Sequence, residues 1–172
     1  ILEGAAAPEA VGALLMLMRY RGESAGEIAG FTRAARARCA PWPGPAPAVD
    51  WPSLAAGRSR GLPWFLLAAR LVASDGLPVL LHGWNSHQSG GADVRAALPA
   101  AGIAMAQGTA DAAALIARDG IAYLPLEAAA PGLFDLVGLR DTLGLRSCLN
   151  TVARMLSPGG AALSVQGVFH PP

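Results

Sequence analysis

Several stretches of this 172-residue chain hold side chains able to do chemistry. The most polar is Leu81-His82-Gly83-Trp84-Asn85-Ser86-His87-Gln88-Ser89-Gly90-Gly91-Ala92-Asp93, an apolar run followed by a glycine-rich loop and a helix start. In open α/β sheets ligands bind at the carboxyl ends of strands, and backbone N–H groups opening the next helix favour anions. The pattern fits a phosphate-type pocket and fits an ordinary strand-to-helix loop equally well. His82 and His87 are candidate metal ligands or proton carriers. No carboxylate pair accompanies them, so a hydrogen-bonded structural histidine is the simpler reading. Asp93 is placed to favour the first turn of its helix by its charge. Arg58-Ser59-Arg60 precedes another helix and suits a phosphate or nucleic-acid backbone, or a solvated turn. Arg140, within Leu139 to Ser147, could grip a carboxylate bidentately or support a helix end through the dipole. Trp42, Trp51, Trp64 and Trp84 are not spaced as a stacking series. Trp64 is expected in the core, and Trp84 is placed to stack on a base or ring.

Bulk properties narrow the classes. Hydrophobic residues make up 53% of the chain and formal net charge is +1. Disorder is excluded, and no strong general pull on nucleic acid or membranes is expected. All 13 basic residues are Arg, which reads first as compositional bias in an Ala-rich sequence. Cys39 and Cys148 belong to no Cys/His cluster, so no zinc site is expected. The longest apolar run, Leu62 to Ala73, contains Pro63 and Arg70 and falls short of the ~20 residues that cross a bilayer. No secretory signal pattern opens the chain. A soluble, cytoplasmic protein is expected. Ile1-Leu2-Glu3-Gly4 reads as the tail of an earlier helix, so truncation at both ends is expected too.

Positioning elements follow from periodicity and punctuation. Pro8 to Met18 reads as a helix with Pro in its first turn. Ser24 and Glu27 form a capping box for a second helix reaching about Arg38. Four prolines between Ala40 and Pro47 make a stiff extended linker. Beyond it, helices are expected from Leu62 to Ser74, Ala92 to Leu98, Thr109 to Arg118, Pro131 to Leu143 and Ser147 to Leu156. Buried strands are expected at Leu77 to His82, Ile121 to Leu126 and Leu163 to Phe169. Alternating strands and helices predict a parallel α/β sheet. The expected division is a helical unit over 1–39, a Pro-rich linker over 40–49 and an α/β unit over 50–172.

Three segments, in order, resemble the anthranilate phosphoribosyltransferase family. Ala13 to Ala29 is similar to A-F-L-x-A-x-R-x-K-G-E-T-x-x-E-I-A. His82-Gly83 through Ser89-Gly90-Gly91-Ala92-Asp93-Val94 is similar to K-H-G-N-R…S-G-S-A-D-V. Leu139-Arg140 through Leu143-Gly144-Leu145-Arg146-Ser147, with Asn150 and Ser157-Pro158, is similar to V-R-x-x-L-G-I-R-T-x-F-N…N-P. The resemblance implies a nucleoside phosphorylase/phosphoribosyltransferase-like α/β fold with a small all-α N-terminal domain, both incomplete here. It implies a homodimer, phosphoribosyl diphosphate as ligand, and magnesium in an active full-length form. By the same resemblance His82, Gly83 and Ser89 line the diphosphate and acceptor site, and Arg140 meets the acceptor carboxylate.

The departures are as specific as the matches. Where the family carries G-T-G-G-D, just after Asp50, this chain has Trp51-Pro52-Ser53-Leu54-Ala55-Ala56-Gly57-Arg58. Leu81 replaces the Lys before His-Gly, and Ala129-Ala130-Pro131 replaces His-His-Pro. The family's magnesium-binding Asp–Glu pair has no counterpart. The pattern resembles a divergent branch of the family in which Asp-x-Pro…Ala-Gly-Arg-x-Arg replaces the phosphate loop. For that branch the resemblance implies single-stranded nucleic-acid binding as an alternative to pentosyl transfer, with Arg58, Arg60 and Trp84 as backbone and stacking contacts.

Overall fold

The computed structural model describes residues 1–53, 61–84 and 93–167. Two helices lead, α1 (Pro8–Arg21) and α2 (Ala25–Arg36). The expected capping box starts α2: Ser24 Oγ accepts from the Glu27 N–H at 3.2 Å, and Glu27 accepts from the Ser24 N–H at 2.9 Å. The Pro-rich segment then runs without helix or strand to β1 (Val49–Pro52).

The sheet contains β1, β2 (Val79–Gly83), β3 (Ile121–Pro125) and β4 (Leu163–Ser164), all parallel, in the order β3-β2-β1-β4. Every residue of β2 and β3 is buried, as continuous apolar runs in a parallel sheet require. Side chains alternate across it. Val49, Val79, Leu81, Ile121 and Tyr123 pack on one face with residues of α3 (Phe65–Ser74) and α4 (Val94–Ala97). Leu80, Ala122 and Leu124 pack on the other with α5 (Thr109–Asp119). Gly120, at φ 75°, stops α5 and turns the chain directly into β3.

A second core lies among the helices. Val11, Leu15 and Met18 of α1 meet Leu126 of α6 (Leu126–Ala129), Leu133 and Val137 of α7 (Pro131–Gly138), and Leu149 and Val152 of α9 (Leu149–Arg154). Arg36 ties α2 to the end of α9, donating to the carbonyls of Leu156 and Met155 at 3.0 and 2.8 Å. The helical body therefore draws on both sides of the Pro-rich segment.

Several expectations need correction. β1 was not anticipated, because Asp50 interrupts its apolar character and Pro52 ends it. The single helix expected from Pro131 to Leu143 is two, α7 and α8 (Arg140–Leu143), broken at Leu139. The helix opening at Ala92 is confined to α4 among the described residues, followed by a 3-10 turn at Pro99–Ala101. Among the described residues, the strand expected from Leu163 to Phe169 is confined to Leu163–Ser164, and its end at Val168 and Phe169 lies outside them. Trp64 is 65% exposed rather than core: α3 buries Leu66, Ala69 and Ala73, which leaves Trp64 on the outer side. Among the described residues, no helix is long and apolar enough to cross a membrane.

Candidate functional site

Register creates one polar edge from the strand ends. Pro52, His82 and Leu124 lie abreast, with Gly83 beside Pro125. Gly83 adopts φ 143°, a conformation that favours glycine. Its carbonyl accepts the Tyr123 hydroxyl proton at 3.1 Å, and Ser53 Oγ lies 3.2 Å from the same hydroxyl. A phenol has one proton to give, so Ser53 is the donor to Tyr123. Burial pushes the Tyr123 pKa up, which keeps the hydroxyl protonated. This chain of hydrogen bonds links the ends of β1, β2 and β3 on the α3/α4 face.

The opposite face carries a different pair. His82 and Asp50 are 0% and 1% exposed. His82 Nε2 lies 3.0 Å from Asp50 Oδ1, close enough for an ion pair when the ring is protonated. The approach is off-line for a hydrogen bond, and neither ring nitrogen makes one among the described residues. Asp50 Oδ2 accepts from Ser164 Oγ at 3.1 Å. A polar row thus crosses β4, β1 and β2, with Asp50 and His82 sealed and Ser164 exposed at its outer end.

A third element closes the edge beside β3. Arg95 of α4 grips Glu127 of α6 through two hydrogen bonds of 2.7 and 2.8 Å. Its guanidinium lies 5.8 Å from the Tyr123 ring centroid, on the ring face. The Glu127 hydrogen bonds raise the Arg95 pKa against the opposing effect of burial. Burial alone would raise the Glu127 carboxyl, but the bonds from Arg95 hold it below the usual carboxylate range.

The structure places the anticipated residues as follows. His82 sits beneath the strand end, out of solvent. Gly83 ends β2 at the polar edge. Trp84 follows it and packs edge-on against Phe134 of α7 at 5.5 Å, which joins the end of β2 to the helical body. Asp93 caps α4, accepting from the Ala96 N–H at 3.1 Å. Arg140 opens α8, half-buried; together with Arg19 it lowers the pKa of Arg146, after burial, the larger cause. Arg58, Arg60, Ser89 and His87 lie outside the described residues. Sequence reasoning missed Asp50 as the partner of His82, and it missed the Arg95–Glu127 pair. A signal for the latter was present: a lone acid directly after the apolar run ending in Leu124-Pro125-Leu126. Among the described residues there is no group of three His, Cys, Asp or Glu side chains that could hold a metal ion. Burial pushes the Cys39 thiol up to about 11, which leaves it unreactive at neutral pH.

Comparison with known proteins supports the resemblance. A profile described as "Glycosyl transferase family, helical bundle domain" matches residues 1–39. Anthranilate phosphoribosyltransferase 2 of Ralstonia nicotianae is 36% identical over 168 residues, covering 96% of this chain and 48% of that protein. The anthranilate phosphoribosyltransferase of Methylocella silvestris is 33% identical over 171 residues, covering 98% of this chain and 48% of that protein. The crystal structure of the Thermus thermophilus enzyme superposes with a TM-score of 0.86 at 27% identity, over 99% of this chain and 52% of that one.

Over nearly its whole length this chain is similar to part of an anthranilate phosphoribosyltransferase.

It spans about half the length of the curated relatives it matches. The Saccharomyces cerevisiae anthranilate phosphoribosyltransferase, solved in complex with PRPP and Mg, shares the fold at a TM-score of 0.72 and 17% identity, over 91% of this chain and 47% of that one. The departures from the anthranilate phosphoribosyltransferase pattern that fall on described residues are packed rather than open. Leu81, in place of a lysine, is 0% exposed in the α3/α4 core. Ala129 and Ala130, in place of histidines, are buried. Trp51, in the region of the glycine loop, lies 6.2 Å from Phe65, ring to ring.

Proposed function

We propose that this chain forms part of a pentosyl-transfer protein that takes phosphoribosyl diphosphate, or a similar sugar diphosphate, at the carboxyl ends of β1 and β2. The observation that carries the reading is the polar strand edge at Gly83 on a fold matching the Thermus thermophilus enzyme at a TM-score of 0.86. Ligands of open parallel sheets bind at that edge. In this reading Gly83 lets the donor approach the backbone, and Ser89 contributes a hydroxyl to its phosphates. Arg140 orients the acceptor through its carboxylate. His82 is a positioning residue, because its ring is sealed against Asp50 and holds the strand end from below. The acceptor's nucleophile displaces diphosphate at the anomeric carbon, and the chain contributes orientation and charge. Magnesium would enter with the donor phosphates and offset their charge. The protein acts in the cytoplasm as a homodimer; Leu14, Leu17 and Tyr20, exposed along α1, supply an apolar face for that association. Incubation with phosphoribosyl diphosphate, magnesium and anthranilate tests the transfer: diphosphate release that falls in Arg140→Ala supports it, and no release with any aromatic carboxylate acceptor refutes it.

The packing of Trp51 against Phe65, where a phosphate loop would need open backbone, favours a second reading. In it the same edge binds single-stranded nucleic acid, with Arg58 and Arg60 on phosphates and Trp84 on a base. Oligonucleotide affinity that falls steeply with salt and drops in Arg58→Ala/Arg60→Ala would support it; salt-independent or undetectable binding would dismiss it.

A further inference from the structure

A pocket of about 250 Å³ opens at the carboxyl end of β3, lined by Arg95, Met105, Gln107, Pro125, Glu127 and flanking alanines. Among the described residues, Arg95 is the one cation in that lining and Glu127 the one anion. The guanidinium is fixed from below: it lies over the Tyr123 ring, and Tyr123 is held by Gly83 and Ser53. It is not held by burial, since the Arg95 side chain is 28% exposed and that of Glu127 38%. Both Glu127 oxygens occupy the fork, one on Nη1 and one on Nη2. A guanidinium presents that paired geometry to a carboxylate or to a phosphate alike. The Glu127 carboxylate therefore stands where an oxyanion of a bound molecule would stand.

We propose that the Arg95 fork is an oxyanion site, specific for phosphate or carboxylate groups, and that Glu127 is its built-in competing occupant. An incoming phosphate must displace a carboxylate already held by two short hydrogen bonds, so affinity for small anions is suppressed in the natural chain. Displacement is geometrically open: Glu127 sits on the four-residue α6 at the pocket mouth, where its side chain can turn to solvent. The other nearby acid, Asp111, keeps its place, accepting the Gln107 N–H at 2.9 Å, so it stays fixed when Glu127 is changed. With Glu127 neutralised, the fork has no carboxylate and the pocket lining gains a net positive charge. The inference does not rest on pentosyl transfer, since it concerns which anions the β3 end admits.

The test is calorimetric titration of inorganic diphosphate, without metal, into the natural protein, Glu127→Gln, and Glu127→Gln/Arg95→Gln, with thermal melts confirming the fold. Glu127→Gln should bind diphosphate about tenfold tighter than the natural protein, and the double variant should lose the gain. Asp119→Asn, which removes a carboxylate paired with Arg118 away from this pocket, should gain nothing. A folded Glu127→Gln with no gain overturns the proposal, as does a gain that survives Arg95→Gln or is matched by Asp119→Asn. Should Glu127→Gln fail to fold, Glu127→Asp carries the same test, because it withdraws the carboxylate from the fork by one methylene; a gain lost on adding Arg95→Gln supports the proposal, and no gain overturns it. Failure of the transfer assay leaves these outcomes untouched, so the two readings fail separately.

Discussion

Two polar pairs flank the same strand ends on opposite faces, and their circumstances differ in every respect that matters. Asp50 and His82 are sealed, misaligned for a hydrogen bond, and steadied from one side by Ser164. Arg95 and Glu127 are half-exposed, aligned in two short hydrogen bonds, and open to a pocket. A sealed carboxylate cannot trade its partner for a ligand, whereas an exposed one can. The sealed pair therefore positions β1 against β2, and the open pair governs what binds beside β3. The contrast also separates stability from recognition: desolvated polar groups are expensive to disturb, while exposed ion pairs contribute little to folding.

That contrast breaks first at Asp50. Asp50→Ala leaves the buried His82 ring without its carboxylate partner, and should lower stability by about 3 kcal/mol in denaturant melts; a loss under about 0.5 kcal/mol would mean the pair is not structural. Tyr123→Phe comes next. It removes the hydroxyl shared by Ser53 and Gly83, with an expected loss of about 1.5 kcal/mol, and it should loosen Arg95 enough to weaken diphosphate binding in the Glu127→Gln background. Glu127→Gln itself should cost about 1 kcal/mol or less while changing anion binding the most. If its stability loss equals that of Asp50→Ala, the two pairs play the same part and the comparison fails. The smallest effect lies outside both pairs. Glu27 is held down to about 2 by the Ser24 backbone and the Arg21 side chain, against an ordinary value of 4.5. A depressed folded pKa stabilises above the ordinary value and stops doing so as pH falls towards 2. Thermal melts between pH 5 and 2 should therefore show a shallower acid loss in Glu27→Gln than in the natural protein.

What was legible in the sequence was local. The Ser24–Glu27 cap, the αL stop at Gly120, and the apolar strands β2 and β3 are fixed by neighbours a few residues away, and each appears where periodicity put it. The parallel sheet followed from that alternation. β1 was not legible, since Val49-Asp50-Trp51-Pro52 has neither an apolar run nor clean alternation; its strand state comes from pairing with β2 and β4. Leu139 gave no breaker signal, so the split between α7 and α8 was hidden. The candidate site was legible only in part. His82 and Gly83 stood out by type, but the carboxylate facing His82 sits on a strand that pattern did not reveal. The Arg95–Glu127 pair joins residues 32 positions apart through the turn of β3 into α6, and no local rule brings them together. Trp64 misled because size suggested burial, while the helical phase of Leu66, Ala69 and Ala73 turned it outward.

The most direct measurement is calorimetric titration of phosphoribosyl diphosphate with magnesium into the protein, with a single-stranded oligonucleotide titrated in parallel. The proposed function predicts saturable binding of the sugar diphosphate that weakens in His82→Ala, with little response to the oligonucleotide. No heat from the sugar diphosphate, together with salt-sensitive oligonucleotide binding that disappears in Arg58→Ala/Arg60→Ala, would contradict it and assign the strand edge to nucleic acid.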